Sequence, residues 1–238
     1  MRYAAIFGAI LTLLASDPVV AQTATPFSPP EGCRLTLTVQ ERSCSVGLHY
    51  ICNADPDGDQ RVIYFGKGGV PRFISHIDRE ARWLWSHDPQ SGLIDELVED
   101  ARDDASLSTL LKTGRDEFDF WTESNDGERL HHVGFDELTG ESVTIDGVAL
   151  EQTRFELTTS DAEGRVLIRR KGQQFVSREH GRFYGGPEQS EDWTGATRRD
   201  DNTPVQFLSP GDAGFASTEP QFGCESLIVA LPEAAGAG

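Results

Sequence analysis

Positive charge is scarce in this chain: 21 Lys and Arg stand against 39 Asp and Glu over 238 residues, a formal charge of −18. A surface of that sign repels phosphate backbones and anionic headgroups. No basic stripe offsets it, since Arg165, Arg169, Arg170 and Lys171 form only a short cluster. Nucleic acid is therefore not an expected partner. Long apolar runs are missing too: Ala4 to Leu14 spans eleven residues and Ser226 to Leu231 six, both short of the roughly 20 that a membrane-spanning helix needs. No G-x-S-x-G elbow, H-E-x-x-H pair, Walker loop, dinucleotide glycine fingerprint or C-x-x-C redox pair occurs. These absences point away from an enzyme built on a compact motif, although an all-β protein can gather catalytic groups from distant strands. No cofactor is expected.

What is present suits one globular core, with 37% hydrophobic and 25% charged residues. Arg2, the apolar run that follows it and the small residues Val19-Val20-Ala21 read as an export signal over residues 1–21, which places the mature chain in the periplasm or outside the cell. Stable membrane insertion after cleavage is not expected. Residues 22–31, rich in Pro, Ser and Thr, read as a tether; 32–231 read as one β-rich domain, and the Ala/Gly-rich 232–238 as a frayed tail.

Four cysteines, Cys33, Cys44, Cys52 and Cys224, in an exported chain imply two disulfides. Leu35 to Val39 and Val46 to Tyr50 alternate as two half-buried strands. If Val39 faces Val46, then Leu37 faces Leu48, Leu35 faces Tyr50 and Cys33 falls opposite Cys52. Cys44 and Cys52 on one strand would be about 26 Å apart, beyond disulfide reach. This register favours Cys33–Cys52 with Cys44–Cys224. A bend at Gly47 would instead favour Cys44–Cys52 with Cys33–Cys224.

Strand signals dominate the remainder. Segments 61–65, 70–77, 80–85, 117–122 and 129–135 are β-prone, and 142–145 with 148–152 flank Asp146-Gly147, the strongest hairpin signal. Segments 155–159, 166–170, 173–178 and 182–184 continue the meander. Asp104 to Lys112 reads as a helix ended by Gly114, whereas Leu93 to Ala101 is ambiguous between helix and strand. The expected fold is mainly β: one antiparallel sheet, curved or partly closed as a half-barrel or barrel-like meander, with one or two short helices.

The candidate chemistry is sparse. Asp55, Asp57 and Asp59 cluster in one turn and are weak cation candidates, but the twelfth position of an EF-hand loop would fall on Gly66. His76, Asp78 and Glu80 share a strand face without a further ligand, and His131 and His132 should point to opposite faces. Trp83 and Trp85, with Leu84 turned away, and Phe118, Phe120 and Trp121 are candidate ligand-facing aromatics. The glycines of 181–186 suggest a turn or bend.

Across 37–40 (Leu-Thr-Val-Gln), 44–46 (Cys-Ser-Val), 52–56 (Cys-Asn-Ala-Asp-Pro), 134–140, 144–150, 204–207 and 222–224, the chain resembles a family of uncharacterised bacterial secreted proteins with a four-cysteine pattern. That resemblance implies localisation and domain extent but no activity. The meander also looks like the lipoprotein-carrier (LolA-like) half-barrels, a likeness of fold alone. The leading expectation is a non-catalytic exported binding or accessory protein, its partner another protein or a small apolar ligand. An envelope-directed hydrolase using Asp55, Asp78 or Glu80, and a structural interaction module, are the alternatives.

Overall fold

The computed structural model describes residues 26–99 and 101–225. The expected export signal and the tail lie outside the described residues. Strands β1 (Cys33–Glu41), β2 (Ser45–Cys52), β3 (Gln60–Gly66), β4 (Val70–Ile77), β5 (Trp83–His87) and β6 (Ile94–Leu97) precede helix α1 (Leu107–Thr113). Then come β7 (Arg115–Ser124), β8 (Arg129–Ile145), β9 (Val148–Ser160), β10 (Val166–Ser177), β11 (Arg182–Asp192), β12 (Thr197–Asp201) and β13 (Pro204–Leu208). Each strand from β1 to β11 pairs antiparallel with the next, and β13 pairs with β1, giving one 13-stranded sheet whose edges are β12 and β13. Among the described residues no helix is long and apolar enough to cross a membrane.

That strand order dictates curvature. Laid flat, the 13 strands would hold the two edges about 58 Å apart at some 4.8 Å per gap. Only Asn202 and Thr203 join β12 to β13, a link of about 11 Å at full stretch. The sheet must therefore curl until its edges approach. Single bonds span the junction, from Asn202 N to Gly186 O at 3.1 Å and from Arg42 N to Thr203 O at 3.1 Å. The edges do not pair as strands, so the curled sheet stays open.

Both disulfides favoured by the cysteine register are present, Cys33–Cys52 and Cys44–Cys224, with Cα separations of 3.9 and 4.6 Å. The register itself is only half as expected. Leu35 faces Tyr50 and Cys33 faces Cys52, but a bulge at Thr36 slips the remainder, so that Leu37 faces His49 and Val39 faces Gly47. Thr36 Oγ1 donates to the His49 carbonyl at 3.0 Å. Beyond the bulge the two hydrophobic sets part. Val39 joins Leu150, Phe175, Tyr184 and Phe207 in one cluster, while Val46 and Leu48 join Phe65 in another.

The second cluster is covered by the two ends of the described chain. Phe27, within the stretch read as a tether, packs on Tyr50 and Phe65 and donates its N–H to Ala216 O at 2.8 Å. Ala216 N donates to Thr38 Oγ1 and Gln221 N to Gln40 Oε1, at 3.0 and 2.9 Å. Cys44–Cys224 pins this strap, and a side chain at Gly223 would overlap the Arg42 carbonyl. Strands β10 and β11 are likewise covered on both faces. Val176 and Phe183 meet Leu107 and Leu110 of α1, whereas their neighbours Phe175 and Tyr184 meet Val39 and Phe207.

The helix begins later than expected: Ser106, not Asp104, is its N-cap and accepts from Thr109 N, while Asp104 pairs with Arg82. Gly114 terminates it at φ 88°. Residues 94–97 of the ambiguous segment form a strand. Segments read as separate strands fuse, because bulges within β8 and β10 keep each one continuous.

Candidate functional site

Two cavities lie on opposite faces of the first residues of β11, with Arg182 and Tyr184 lining one and Phe183 the other. The larger, about 380 Å³, is walled by Leu37, His49, Ile51, Gln60, Arg182 and Tyr184. Strand alternation delivers these groups: His49 and Gly47 lie on the face of β2 opposite Val46 and Leu48, and on β11 Arg182 and Tyr184 alternate with Phe183. Gly47 is required by packing, since a Cβ there would sit 2.9 Å from the Tyr64 ring and 3.2 Å from His49 Nε2. The His49 ring meets Tyr64 and Tyr184 edge-on at 6.4 and 5.9 Å.

The polar groups of this cavity are unusual in what they lack. His49 is 3% exposed and neither ring nitrogen has a hydrogen-bond partner. Burial, reinforced by the charges of Arg182 and His180, holds its pKa well below the ordinary value, so the ring is neutral. Arg182 is 5% exposed. Its Nη1 donates to Gln60 Oε1 at 3.3 Å, its Nε is unpartnered, and among the described residues no carboxylate oxygen lies within 4.0 Å of the guanidinium. Gln60 is held in turn, donating from Nε2 to the carbonyls of His180 and Gly181 at 2.9 and 3.3 Å. The counter-charge is Glu41, buried at 4% exposure. Burial pushes its pKa up to about 7, opposed by a hydrogen bond with Ser45 and by the field of Arg182. The Tyr64 and Tyr184 hydroxyls are pushed upward by burial and stay neutral, and His180, pushed downward by burial, shares a 2.7 Å hydrogen bond with Tyr184 Oη.

The smaller cavity, about 190 Å³, lies against α1 and is walled by Trp83, Phe118, Phe120, His132, Phe183 and the carboxylates Glu80, Asp116 and Asp136. Asp116 and Asp136 are direct cross-strand partners on β7 and β8. Burial, then the neighbouring Asp116, pushes Asp136 up to about 7; Asp116 is also raised by burial, against a hydrogen bond from Ser106 N at 2.7 Å. His132 is bonded on both sides, Nε2 to Thr122 Oγ1 at 2.9 Å and Nδ1 to Thr159 Oγ1 at 3.1 Å, and burial pushes it down to about 4. A file of rings joins the two cavities: Phe120, His132, Trp83, Phe73, Tyr64, His49 and Tyr184, each 4.9 to 6.5 Å from the next.

Of the candidate aromatics, Trp83, Phe118 and Phe120 line the smaller cavity. Trp85 and Trp121 do not. Ile77 pairs with Trp83 and His76 with Trp85, so Leu84 is a bulge and the two tryptophans fall on opposite faces, correcting the simple alternation. Trp121 stacks on His131 at 4.3 Å, on the opposite face of β7 from Phe120. His131 and His132 point apart as strand geometry requires, His131 Nε2 meeting Asp119 at 2.6 Å.

Of the carboxylates singled out from sequence, Asp59 borders the larger cavity and Glu80 the smaller, while Asp55, Asp57 and Asp78 line neither. Asp55 takes two bonds from Arg61 at 2.7 and 2.9 Å, which hold it below the ordinary carboxylate range. Asp59 meets His76 at 2.8 Å, and Asp57 is exposed. Asp78 closes a turn with Arg82 at 2.6 Å, and Glu80 accepts from Ser106 Oγ and Ser108 N beside the start of α1. Among the described residues no group of three or more His, Cys, Asp or Glu is arranged to hold a metal ion. No family model, curated protein or solved structure matches the chain. Neither the four-cysteine family nor the lipoprotein-carrier likeness gains support from those comparisons, so the site is read from its own geometry.

Proposed function

We propose that the protein is a non-catalytic binding protein, working in the periplasm or outside the cell, which holds a small organic ligand in the cavity between β2 and β11. One observation carries the reading: Arg182, a permanent cation almost wholly buried at the cavity wall, has no carboxylate partner within the described fold. A buried cation whose counter-charge, Glu41, stands beyond 4.0 Å and titrates near 7 is only partly compensated, at a cost of several kcal/mol, and unpartnered His49 nitrogens beside it add to that cost. A ligand that supplies acceptors would recover both. The two disulfides suit an oxidising compartment.

The test is ligand-observed NMR with a library of small organic molecules on the oxidised protein, repeated on Ile51→Phe, which fills the cavity wall. Hits that bind the parent and are lost in the variant, with its circular dichroism unchanged, are expected. Hits that survive the substitution, or none at all, would remove the reading.

The hydrolase alternative moves from Asp55, Asp78 and Glu80 to the pair Asp116 and Asp136. Three carboxylates line that cavity, and with Glu80 held ionised by hydrogen bonds at the start of α1, Asp116 and Asp136, the latter near pH 7, are a fitting acid and base. The 190 Å³ space restricts that reading to a small substrate. Hydrolysis that disappears in Asp136→Asn while ligand binding at Arg182 persists would favour it.

A further inference from the structure

We infer that the ligand of the larger cavity is a singly charged organic acid whose carboxylate docks on the Arg182 guanidinium while its hydrocarbon body lies against Leu37, Ile51 and the Tyr184 ring. The inference rests on the binding reading above and names the ligand class.

The guanidinium is a planar fork, and Gln60 takes only Nη1. The edge formed by Nε and Nη2 has no acceptor among the described residues, and this is the edge that a carboxylate engages through two parallel bonds. Nothing else in the cavity competes for it. From β1 comes Glu41, more than 4.0 Å away; from β2, neutral His49; from β3, Gln60 and neutral Tyr64; from β11, neutral Tyr184; and from the preceding turn, Glu179 and His180. Asp59 also lines the cavity, but its carboxylate is held by His76.

Charge counting sets the valence. Arg182 is the one Arg or Lys on the wall, Asp59 lines the same cavity and Glu41 already shares the field of Arg182, so a second negative charge on the ligand would meet repulsion rather than a partner. No Lys, second Arg or helix N-terminus is among the lining residues to receive a phosphate. The apolar wall supplied by Leu37, Ile51 and Tyr184 selects a short alkyl or aromatic acid over a hydroxylated one.

Glu41 then acts as an internal counter-ion that the ligand replaces. A carboxylate beside Arg182 makes an ionised Glu41 less favourable, so binding draws a proton onto Glu41. Affinity is flat between about pH 5, above which the ligand's own carboxyl is ionised, and about pH 7, below which Glu41 is already protonated in the free protein, and it falls above that, at most about tenfold per pH unit.

Isothermal titration with hexanoate and benzoate, against the uncharged hexanamide and benzamide, tests this. The acids should bind roughly tenfold or more tighter than the amides. Titrations above pH 7 in two buffers of different ionisation enthalpy should register proton uptake. Arg182→Gln should abolish the preference for acids; if that variant fails to fold by circular dichroism, Arg182→Lys should keep the preference but weaken the acids. Glu41→Gln should bind the acids without proton uptake and without the loss above pH 7. Amides binding as tightly as acids, or acids binding Arg182→Gln undiminished, would overturn the inference and leave the cavity reading standing. Failure of both acids and amides to bind, alongside an empty library screen, would overturn the two together.

Discussion

Removing the Cys44–Cys224 bridge should cost more than removing Cys33–Cys52, and the difference follows from loop length. The first closes a sequence separation of 180 residues and the second one of 19. On the chain-entropy account the two constraints lower the entropy of the unfolded chain by about 5 and about 3 kcal/mol, a gap of about 2 kcal/mol. In the native state the strap it anchors retains its other ties, from Ala216 to Thr38 and from Gln221 to Gln40, so the loss falls mainly on the unfolded side. The variants are Cys44→Ser with Cys224→Ser, and Cys33→Ser with Cys52→Ser, each paired so that no free thiol remains. Urea unfolding of both against the oxidised parent gives the stabilities, and the long-loop variant should also show the steeper denaturant dependence, because its unfolded chain is the more expanded. The short-loop variant being equally or more destabilised would refute the reasoning and shift the origin of the effect to the native contacts around each bridge.

Three further outcomes are expected. Gly47→Ala places a methyl 2.9 Å from the Tyr64 ring and should destabilise by about 1–3 kcal/mol in thermal unfolding; Gly47→Ala combined with Tyr64→Leu should cost less than the two separate losses added together. Asp136 has its folded pKa raised to about 7, so its ionisation works against the fold: stability should fall as pH rises from about 4 to 7 and stay low above that. Asp136→Asn should therefore gain about 1–2 kcal/mol at pH 8 and almost nothing at pH 4, and a gain of equal size at both would contradict the assignment. His132, pushed down to about 4 between two threonines, should keep its neutral nitrogen shifts in NMR from pH 8 down to about 5, and a midpoint near 6.5 would contradict its burial between β7 and β9.

Much of the fold was legible because short-range signals agreed with one another. The hairpin at Asp146-Gly147 joins β8 to β9 with Ile145 opposite Val148, and Gly114 ends the helix. Bulges were not legible. Thr36 and Leu84 each add a single residue with nothing in the local pattern to mark it, and each moves every later side chain of its strand to the other face. Strand β12 escaped for a different reason. Thr197–Asp201 is polar throughout, as an edge strand must be to avoid pairing with other chains, and so carries no alternation to read. The helix start shifted from Asp104 to Ser106 because Arg82 had already claimed the aspartate.

The larger cavity escaped the sequence reading because His49 and Arg182 look like surface residues of half-buried strands. Alternation assumes that one face meets water. On β2 that assumption fails, since Phe27 and the strap bonded to Thr38 and Gln40 close one face while Tyr184 and Arg182 of β11 close the other. A hint existed in the cysteine arithmetic. A bridge from Cys44, in the turn of the first hairpin, to Cys224 forces the C-terminal segment to lie beside β1 and β2, and one face of that hairpin is then lost to solvent. Once Val46 and Leu48 are assigned to that covered face, the residues that alternate with them, Gly47 and His49, must face inward across the curled sheet, toward whichever strand closes it. The two-residue link between β12 and β13 brings β11 there. A protein whose surface carries a large negative charge thus keeps Arg182 inside with no carboxylate within 4.0 Å among the described residues; the small acid proposed for it would meet that cation in a low dielectric that strengthens the attraction, where burial bars most macromolecular anions.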